Sequence, residues 1–235
     1  VVVRIRHAYK ALKRKKILTF LGYFLLLTIL YVLLYKILIP RVNAFGCFDD
    51  CFNFIAGHFL LKGKALYTEV FFNHQPLMAY ISLALQTVTD PVNIYELVLR
   101  HRQFVMLFGF MMNFVLLWRF GWTVALFVLL YEFSKFYLFG DRFLAEGLIV
   151  YPLVFMLGIL WEKLHGRMLS HTDYILTAVS AWLVIFMREP YVPLAVLAYF
   201  FILFGKSQGR QVSVVLFAVL CGLMIFSQPL GAYFF

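Results

Sequence analysis

Long apolar runs separated by short polar clusters divide this chain. The first run, residues 17–39, follows a stretch with seven Lys and Arg and no acid, and it ends at Pro40-Arg41. Runs of about 17–25 apolar residues are typical of transmembrane helices, and no small-residue cleavage site follows this one. We therefore predict an uncleaved anchor whose basic N-terminal segment, residues 1–16, is cytoplasmic.

Six further apolar runs follow a more polar segment, residues 40–103. They cover residues 104–118, 122–139, 148–161, 174–187, 191–204 and the stretch from 212 to near the C-terminus. The pattern predicts an all-α polytopic membrane protein with about seven transmembrane helices, six of them within 104–235. Segment 40–103 is then an outer loop, in which the periodic stretches 52–61 and 77–88 predict two interfacial helices lying along the membrane surface.

Composition and charge support a membrane protein. The chain is 64% hydrophobic and only 14% charged, which excludes a soluble globular enzyme, a disordered chain and a disulfide-rich secreted domain. On the predicted topology the cytoplasmic segments carry a net charge of +10 and the outer segments −1. The basic excess therefore follows the positive-inside rule and gives no reason to expect nucleic acid, whereas it favours an anionic lipid bilayer as a partner.

Two adjacent acids, Asp49 and Asp50, lie just before the first predicted loop helix. Acids in a first turn cap a helix and interact favourably with its dipole. The pair also fits a general base with an acidic neighbour, or a metal ligand, so both interpretations stay open. Cys47 and Cys51 flank the pair at a spacing that is poor for a disulfide within a helix and unusual for a zinc site, so we predict two packed cysteines.

A second polar group lies between the two predicted loop helices. Gly63 is typical of a helix C-cap, and Pro76 is typical of a first helical position. Lys64 is interpreted as solvated or bound to a lipid phosphate. His74, just before the second loop helix, can be an acid, a base, a ligand or a structural residue.

The remaining outer charges lie at two turns. Asp141, Arg142 and Glu146 follow the third span, and Arg188 with Glu189 separates the fifth span from the sixth. An Arg on this side can bind a phosphate through two hydrogen bonds, or it can extend its head group to the lipid interface. Both interpretations stay open for Arg142 and Arg188.

The order of these residues resembles the C-type polytopic glycosyltransferases, in particular the protein O-mannosyltransferases and the aminoarabinose transferases of lipid A. The matching stretch is Asp49-Asp50, then Gly-Lys-Ala-Leu-Tyr at 63–67, then His-Gln-Pro-Leu at 74–77. Weaker matches are Arg102 at the start of the second span and the acidic outer loop 141–146. The order and the topology together cover most of the chain.

The resemblance implies a membrane enzyme of the cell envelope that moves a sugar from a polyprenyl-phosphate donor to an acceptor at the extracytoplasmic face of the cell membrane. It implies Asp49 as the catalytic base and Asp50 as its acidic neighbour, where the family usually has Glu. Basic side chains are then expected on the donor phosphate, and Arg142, Arg188 and Lys64 are the candidates. The other site candidates are His74, Asp141 and Glu146.

The resemblance also bears on length and cofactors. Family members are longer and have more spans, which implies that this chain is an N-terminal part without the acceptor-binding region. The sequence requires no cofactor, leaves a divalent metal open, and does not identify the acceptor.

A transporter component and a non-catalytic assembly protein are the alternatives. A transporter is expected to place polar residues at mid-membrane. Here only Glu132 and Lys135 lie deep in a span, where they predict a neutralising pair on one helix face. A cleft shared by Asp49 with Arg142 or Arg188 would favour the transferase, whereas acids directed apart into water would favour an assembly role.

Overall fold

The computed structural model describes residues 2–204 and 208–227, with side chains given for 17–204 and 209–227. This part of the chain forms nine α-helices and no strand, which confirms the predicted all-α class. The helices are α1 (Val2–Val42), α2 (Asp50–Leu61), α3 (Leu77–Thr89), α4 (Ile94–Phe120), α5 (Ala125–Ser134), α6 (Ala145–Leu164), α7 (His171–Met187), α8 (Val192–Leu203) and α9 (Gln208–Phe226). Short 3-10 segments occupy Gly121–Val124, Lys135–Leu138 and Glu189–Tyr191.

The seven predicted spans overlap with α1 and with α4 to α9. Within the described ranges, four helical segments are long and apolar enough to cross a membrane. They are Ile17–Val42, Ile94–Leu138, Ala145–Leu164 and Gly209–Phe226. The count of seven spans is therefore not confirmed. The predicted spans 104–118 and 122–139 both fall within the single segment Ile94–Leu138. The helices α7 and α8 are short, since the 17 residues of α7 extend only about 26 Å, against a hydrocarbon core of about 30 Å.

Two predictions fall on residues that the structure does not describe. The predicted seventh span extends past residue 227, and its end lies outside the described residues. The side chains of the basic segment 1–16 also lie outside them.

The two predicted loop helices are present as α2 and α3, with ends within two residues of the prediction. They pack closely, because a Cβ atom added at Gly57 would lie 2.6 Å from Ser82 Oγ. The Gln86 amide on α3 donates to the Phe54 carbonyl on α2 at 3.0 Å. Ser82 Oγ also lies 2.8 Å from His101 Nε2 on α4. The loop is thus a folded helical pair attached to the bundle.

Helix α6 lies at the centre of the main hydrophobic core. Its side chains at Leu148, Phe155, Met156 and Ile159 have no exposed surface. The helix packs against α4, α7 and α8, and packing of this kind is the main source of stability between membrane helices. Because α6 begins beside the polar end of the bundle, it fixes the position of Glu146 in its first turn.

A buried polar network crosses the middle of the bundle. Lys135 Nζ lies 2.6 Å from Glu132 Oε2, which confirms the predicted pair. The other carboxylate oxygen of Glu132 accepts from Asn113 at 2.7 Å and from the Tyr151 hydroxyl at 2.6 Å. Asn113 also donates to the Tyr31 hydroxyl at 3.0 Å. The charges are neutralised, and the network joins α1, α4 and α6 to the α5 segment.

A second charged group, the Arg119 cluster, closes one end of the bundle. It consists of Arg119, Glu162, Arg167 and Asp173. Arg119 pairs with Glu162 at 2.5 Å and also contacts Asp173, whose carboxylate completes a capping box with Ser170 at the start of α7. This is the end that the sequence predicts to be cytoplasmic. Arg119 lies seventeen residues beyond Arg102 on α4, a distance of about 26 Å along the helix.

Candidate functional site

Two polar cavities lie at the opposite end of the bundle from the Arg119 cluster. The first cavity has a volume of about 150 Å³ and is lined by the polar residues Asp49, Asn53, His74, Glu146 and Arg188. The second, the arginine cavity, has a volume of about 430 Å³ and is lined by Arg41, Arg102, Asp141 and Arg142 among others. Segment 137–145 contributes residues to both linings, so the two cavities adjoin.

The two adjacent acids have different environments. Asp49 is exposed at the N-cap of α2 and its side chain makes no capping hydrogen bond, so the structure does not support the capping interpretation for Asp49. Asp50 is fully buried, and its Oδ1 accepts from the Phe48 backbone N–H at 2.7 Å. Asp49 lines the first cavity, whereas Asp50 lines neither cavity.

Cys47 and Cys51 are joined in a disulfide, so the prediction of two packed cysteines is wrong. The prediction assumed that both residues lie in one helix. Cys47 instead precedes α2, and the two Cα atoms are 5.4 Å apart, within the usual range for a disulfide. The bridge encloses the segment that carries both acids.

Arg188 connects three elements around the first cavity. It follows α7 in an extended conformation. Its Nε lies 2.8 Å from Glu146 Oε1 on α6, and its Nη1 lies 2.5 Å from His74 Nδ1 before α3. The Glu189 carboxylate is farther away, at 4.0 Å. Arg188 therefore contacts two other candidates, His74 and Glu146, from distant parts of the sequence.

The Gly-Lys-Ala-Leu-Tyr stretch positions His74. Gly63 ends α2 with a φ of +78°, as its predicted C-cap role requires. The chain then turns tightly, and the Tyr67 N–H donates to the Val70 carbonyl at 2.9 Å. The Tyr67 hydroxyl donates to the His74 carbonyl at 2.7 Å. The turn thus fixes the backbone of the residue that contacts Arg188.

Lys64 lies outside both cavities. Its ammonium group pairs with Glu69 at 2.9 Å on the exposed face of the turn. Glu69 also accepts from the Ala65 N–H at 2.9 Å. The hydrogen bond from Lys64 holds the pKa of the Glu69 carboxyl below its usual value.

Arg102 shapes one wall of the arginine cavity. It is almost fully buried on α4, and its guanidinium donates to the backbone carbonyls that end α1 and follow it. These carbonyls belong to Arg41, Val42, Ala44 and Gly46. A cation at the C-terminal end of a helix satisfies its free carbonyls and its dipole. Arg102 therefore fixes the segment that leads from α1 to Cys47 and Asp49.

The other two arginines face aromatic rings. Arg41 donates to the Phe136 carbonyl at 2.8 Å and lies 6.0 Å from the Tyr137 ring. Arg142 lies 4.9 Å from the Phe139 ring and, within the described residues, has no ion pair. Because Asp141 is the only acid in the lining, the cavity carries an excess of positive charge that favours an anion.

The structure therefore groups most of the predicted site residues. The first cavity gathers Asp49, His74, Glu146 and Arg188, and the arginine cavity gathers Asp141 and Arg142. Asp50 and Lys64 line neither.

Three polar lining residues were not among the predicted site residues, although Arg102 was one of the weaker matches of the resemblance. Asn53 lines the first cavity and lies one helical turn after Asp49, a spacing that puts both on one helix face. Arg41 and Arg102 line the arginine cavity. Their positions at the end of the first span and the start of the second were the available signal, because both then lie at the same depth.

Within residues 2–204 and 208–227, no group of three or more His, Cys, Asp or Glu side chains is arranged to hold a metal ion. Comparisons with protein-family models, with curated proteins and with solved structures found no match to this chain. The geometry of the two cavities is thus the basis for a functional proposal.

Proposed function

We propose that this protein is a membrane glycosyltransferase, which moves a sugar from a polyprenyl-phosphate donor to an acceptor at the extracytoplasmic face of the cell membrane. The observation that carries the proposal is that Asp49 shares a cavity with Arg188 beside the adjoining arginine cavity. Transfer from a phosphate needs a base for the acceptor and positive charge for the leaving anion. The two cavities offer both.

The reaction follows from these roles. Asp49 accepts the proton of the acceptor hydroxyl as that oxygen forms a bond to the anomeric carbon of the sugar. The bond between this carbon and the phosphate oxygen breaks, and its electron pair leaves with polyprenyl phosphate. Arg142 and Arg188 stabilise the leaving anion through charge-assisted hydrogen bonds. Asp50 supports the backbone before Asp49 through its hydrogen bond to Phe48.

An apolar groove between α1 and α4 is consistent with a donor that carries a lipid chain. It has a volume of about 470 Å³ and is lined by residues that include Tyr35, Lys36, Gln103 and Met106. Lys36 lies about 7.5 Å below Arg41 along α1. A donor with its phosphate in the arginine cavity can therefore place its chain in this groove on the same two helices.

The proposal includes the seven-span topology with a cytoplasmic N-terminus. The Cys47–Cys51 disulfide supports the extracytoplasmic position of the loop before α2, because disulfides persist in oxidising compartments. The net charges of the predicted cytoplasmic and outer segments support the same orientation. The two cavities then lie at the outer membrane surface, where the phosphate of a lipid donor is located.

We also propose that α2 lies along this surface. Phe48, Phe52, Ile55 and Phe59 are all exposed and recur at intervals of three or four residues. That spacing gives the helix an apolar face directed away from the bundle. Such a face is typical of helices that lie in the membrane interface.

The test is turnover of defined donors by the full-length protein in lipid nanodiscs. Mannose, glucose and aminoarabinose linked to polyprenyl phosphate would be supplied one at a time, and released polyprenyl phosphate would be measured by mass spectrometry. Release from at least one donor is expected. If no sugar or acceptor combination gives release above that of empty nanodiscs, the proposal is wrong. The neutralised Glu132–Lys135 pair gives no specific support to a transporter.

A further inference from the structure

Phe139, in the lining of the arginine cavity, has a backbone conformation that is rare for an aromatic residue. It ends the 3-10 segment Lys135–Leu138 with a φ of +58° and a ψ of +23°, in the left-handed region. A bulky side chain is disfavoured there, and glycine is the usual residue at a left-handed helix end. Such a conformation persists only where the surrounding structure requires it, and it is often found at functional sites.

The turn around Phe139 is fixed by its neighbours. The Gly140 N–H donates to the Lys135 carbonyl at 2.7 Å, and the Arg142 N–H donates to the Phe139 carbonyl at 3.0 Å. A Cβ atom added at Gly140 would lie 2.7 Å from the Lys135 carbonyl oxygen. Glycine is therefore needed at position 140 for lack of space, while the left-handed position, where glycine would relieve strain, carries Phe139.

Burial does not explain the aromatic side chain, because 55% of Phe139 is exposed. Its ring instead contacts a cation, since Arg142 Cζ lies 4.9 Å from the ring centroid. Arg142 Cζ also lies 5.9 Å from the centroid of the Phe48 ring. A guanidinium within about 6 Å of a ring centroid is attracted to the face of the ring. The contact with Arg142 is thus what Phe139 supplies and glycine would not.

We propose that Phe139 is a positioning residue for Arg142. Its left-handed backbone places the ring against the guanidinium and so restricts a flexible side chain at the cavity wall. Arg142 has no side-chain hydrogen bond or ion pair to another described residue, so its N–H groups stay free for a phosphate. Fixing an arginine before binding removes part of the ordering cost and raises affinity. The assignment of the ligand as the donor phosphate rests on the proposed function, whereas the ring contact does not.

The ring contact can be measured without any ligand. The full-length protein in nanodiscs would be labelled with ¹³C,¹⁵N-arginine, and the Arg142 signals would be assigned by their loss in Arg142→Lys. An aromatic face shields the protons above it, so we expect the δ protons of Arg142 to resonate upfield of their ordinary position. Phe139→Leu should remove this shift and Phe139→Tyr should keep it. Arg142 signals that are the same in Phe139→Leu and in the wild type would overturn the inference.

The positioning role is tested by binding of short-chain polyprenyl phosphate. Phe139→Leu keeps an apolar side chain without the ring, so the Kd should rise roughly three- to tenfold, the effect of ordering one flexible side chain. Phe139→Tyr keeps the ring and should bind like the wild type. Phe139→Gly lacks the ring but relieves the backbone strain. It should bind as weakly as Phe139→Leu, yet unfold at a higher concentration of denaturing detergent than that variant.

Phe71 gives a matched control, because it is an exposed aromatic residue that lines neither cavity. Phe71→Leu should keep the wild-type Kd. A wild-type Kd in Phe139→Leu, a Kd in Phe139→Tyr as high as in Phe139→Leu, or no measurable binding by the wild type would overturn the positioning role. The expected order of Kd values without turnover of any donor would instead contradict only the transferase proposal.

Discussion

The two charged ends of the helix bundle differ in how their charges are satisfied. In the Arg119 cluster every charged side chain contacts one of opposite sign. At the cavity end, Arg102 donates to backbone carbonyls, Arg142 faces aromatic rings, and Asp49 makes no ion pair within the described residues. The charges of the Arg119 cluster neutralise one another, whereas the cavity end leaves charge that a ligand can neutralise. We therefore propose that the Arg119 cluster stabilises the fold and that the cavity end binds an anionic ligand.

The largest expected effect is at Asp49. Asp49→Asn keeps the shape of the side chain and removes the proton acceptor, so turnover should fall by about 10²–10⁴-fold while donor affinity changes little. The rate of polyprenyl phosphate release measures this. Asp90→Asn is the matched control, since Asp90 is exposed at the end of α3 and lines neither cavity. Equal rates in both variants would remove Asp49 from the reaction.

The second effect should appear in stability. Asp173→Ala leaves Arg119 without one of its two partners and removes the capping box of α7. Loss of the cap and of one partner of this partly exposed arginine costs about 2 kcal/mol, so the variant should unfold at a lower concentration of denaturing detergent. Donor affinity below the unfolding transition should stay at the wild-type value. A change in affinity without a change in stability would contradict the division between the two ends.

The third effect concerns the donor phosphate. Arg142→Ala should raise the donor Kd by roughly ten- to a hundredfold, the effect of one charge-assisted hydrogen bond. Arg142→Lys should lie between the alanine variant and the wild type, because it keeps the charge and loses the planar fork. Equilibrium binding of short-chain polyprenyl phosphate measures the series. If alanine and lysine variants bind like the wild type, Arg142 only faces the lipid interface.

The smallest effect is expected at Lys64, which is exposed and lies outside both cavities. Lys64→Ala should leave donor affinity unchanged. It should raise the pKa of Glu69, because the hydrogen bond from Lys64 holds that pKa down. A lowered carboxyl pKa stabilises the turn above the unfolded-state pKa, and this contribution is lost as pH falls through the folded-state pKa. An NMR titration measures the pKa of Glu69 in the variant and in the wild type. Equal pKa values in the two proteins would contradict the Lys64–Glu69 ion pair.

The all-α class and the ends of α2 and α3 could be predicted from the apolar pattern, but the start of α4 could not. Helix α4 begins at Ile94, ten residues before the predicted span. Arg100 and Arg102 suggested a boundary there. Arg100 instead pairs with Glu96 at 2.9 Å, and Arg102 donates to carbonyls near the end of α1. A local ion pair at Arg100 and the tertiary contacts of Arg102 thus allow charged residues inside a helix where the sequence alone favours a loop.

The candidate site could be predicted only in part, because its geometry depends on contacts between distant residues. The side of the membrane and the residue types were sufficient to select Asp49, His74 and Arg188. The different environments of Asp49 and Asp50 arise from the turn before α2, which no pattern in the sequence specifies. Arg41 joins the site only through the packing of α1 against α4.

Photo-crosslinking tests the central claim, that the cavity end binds a lipid-linked phosphate, most directly. A polyprenyl phosphate with a diazirine in its first isoprene unit would be irradiated with the full-length protein in nanodiscs, and the labelled peptides would be mapped by mass spectrometry. We predict labels within residues 36–48, 102–107 or 136–146 that excess unlabelled polyprenyl phosphate removes. Labels that competition does not remove, or competed labels confined to the Arg119 cluster, would contradict the account.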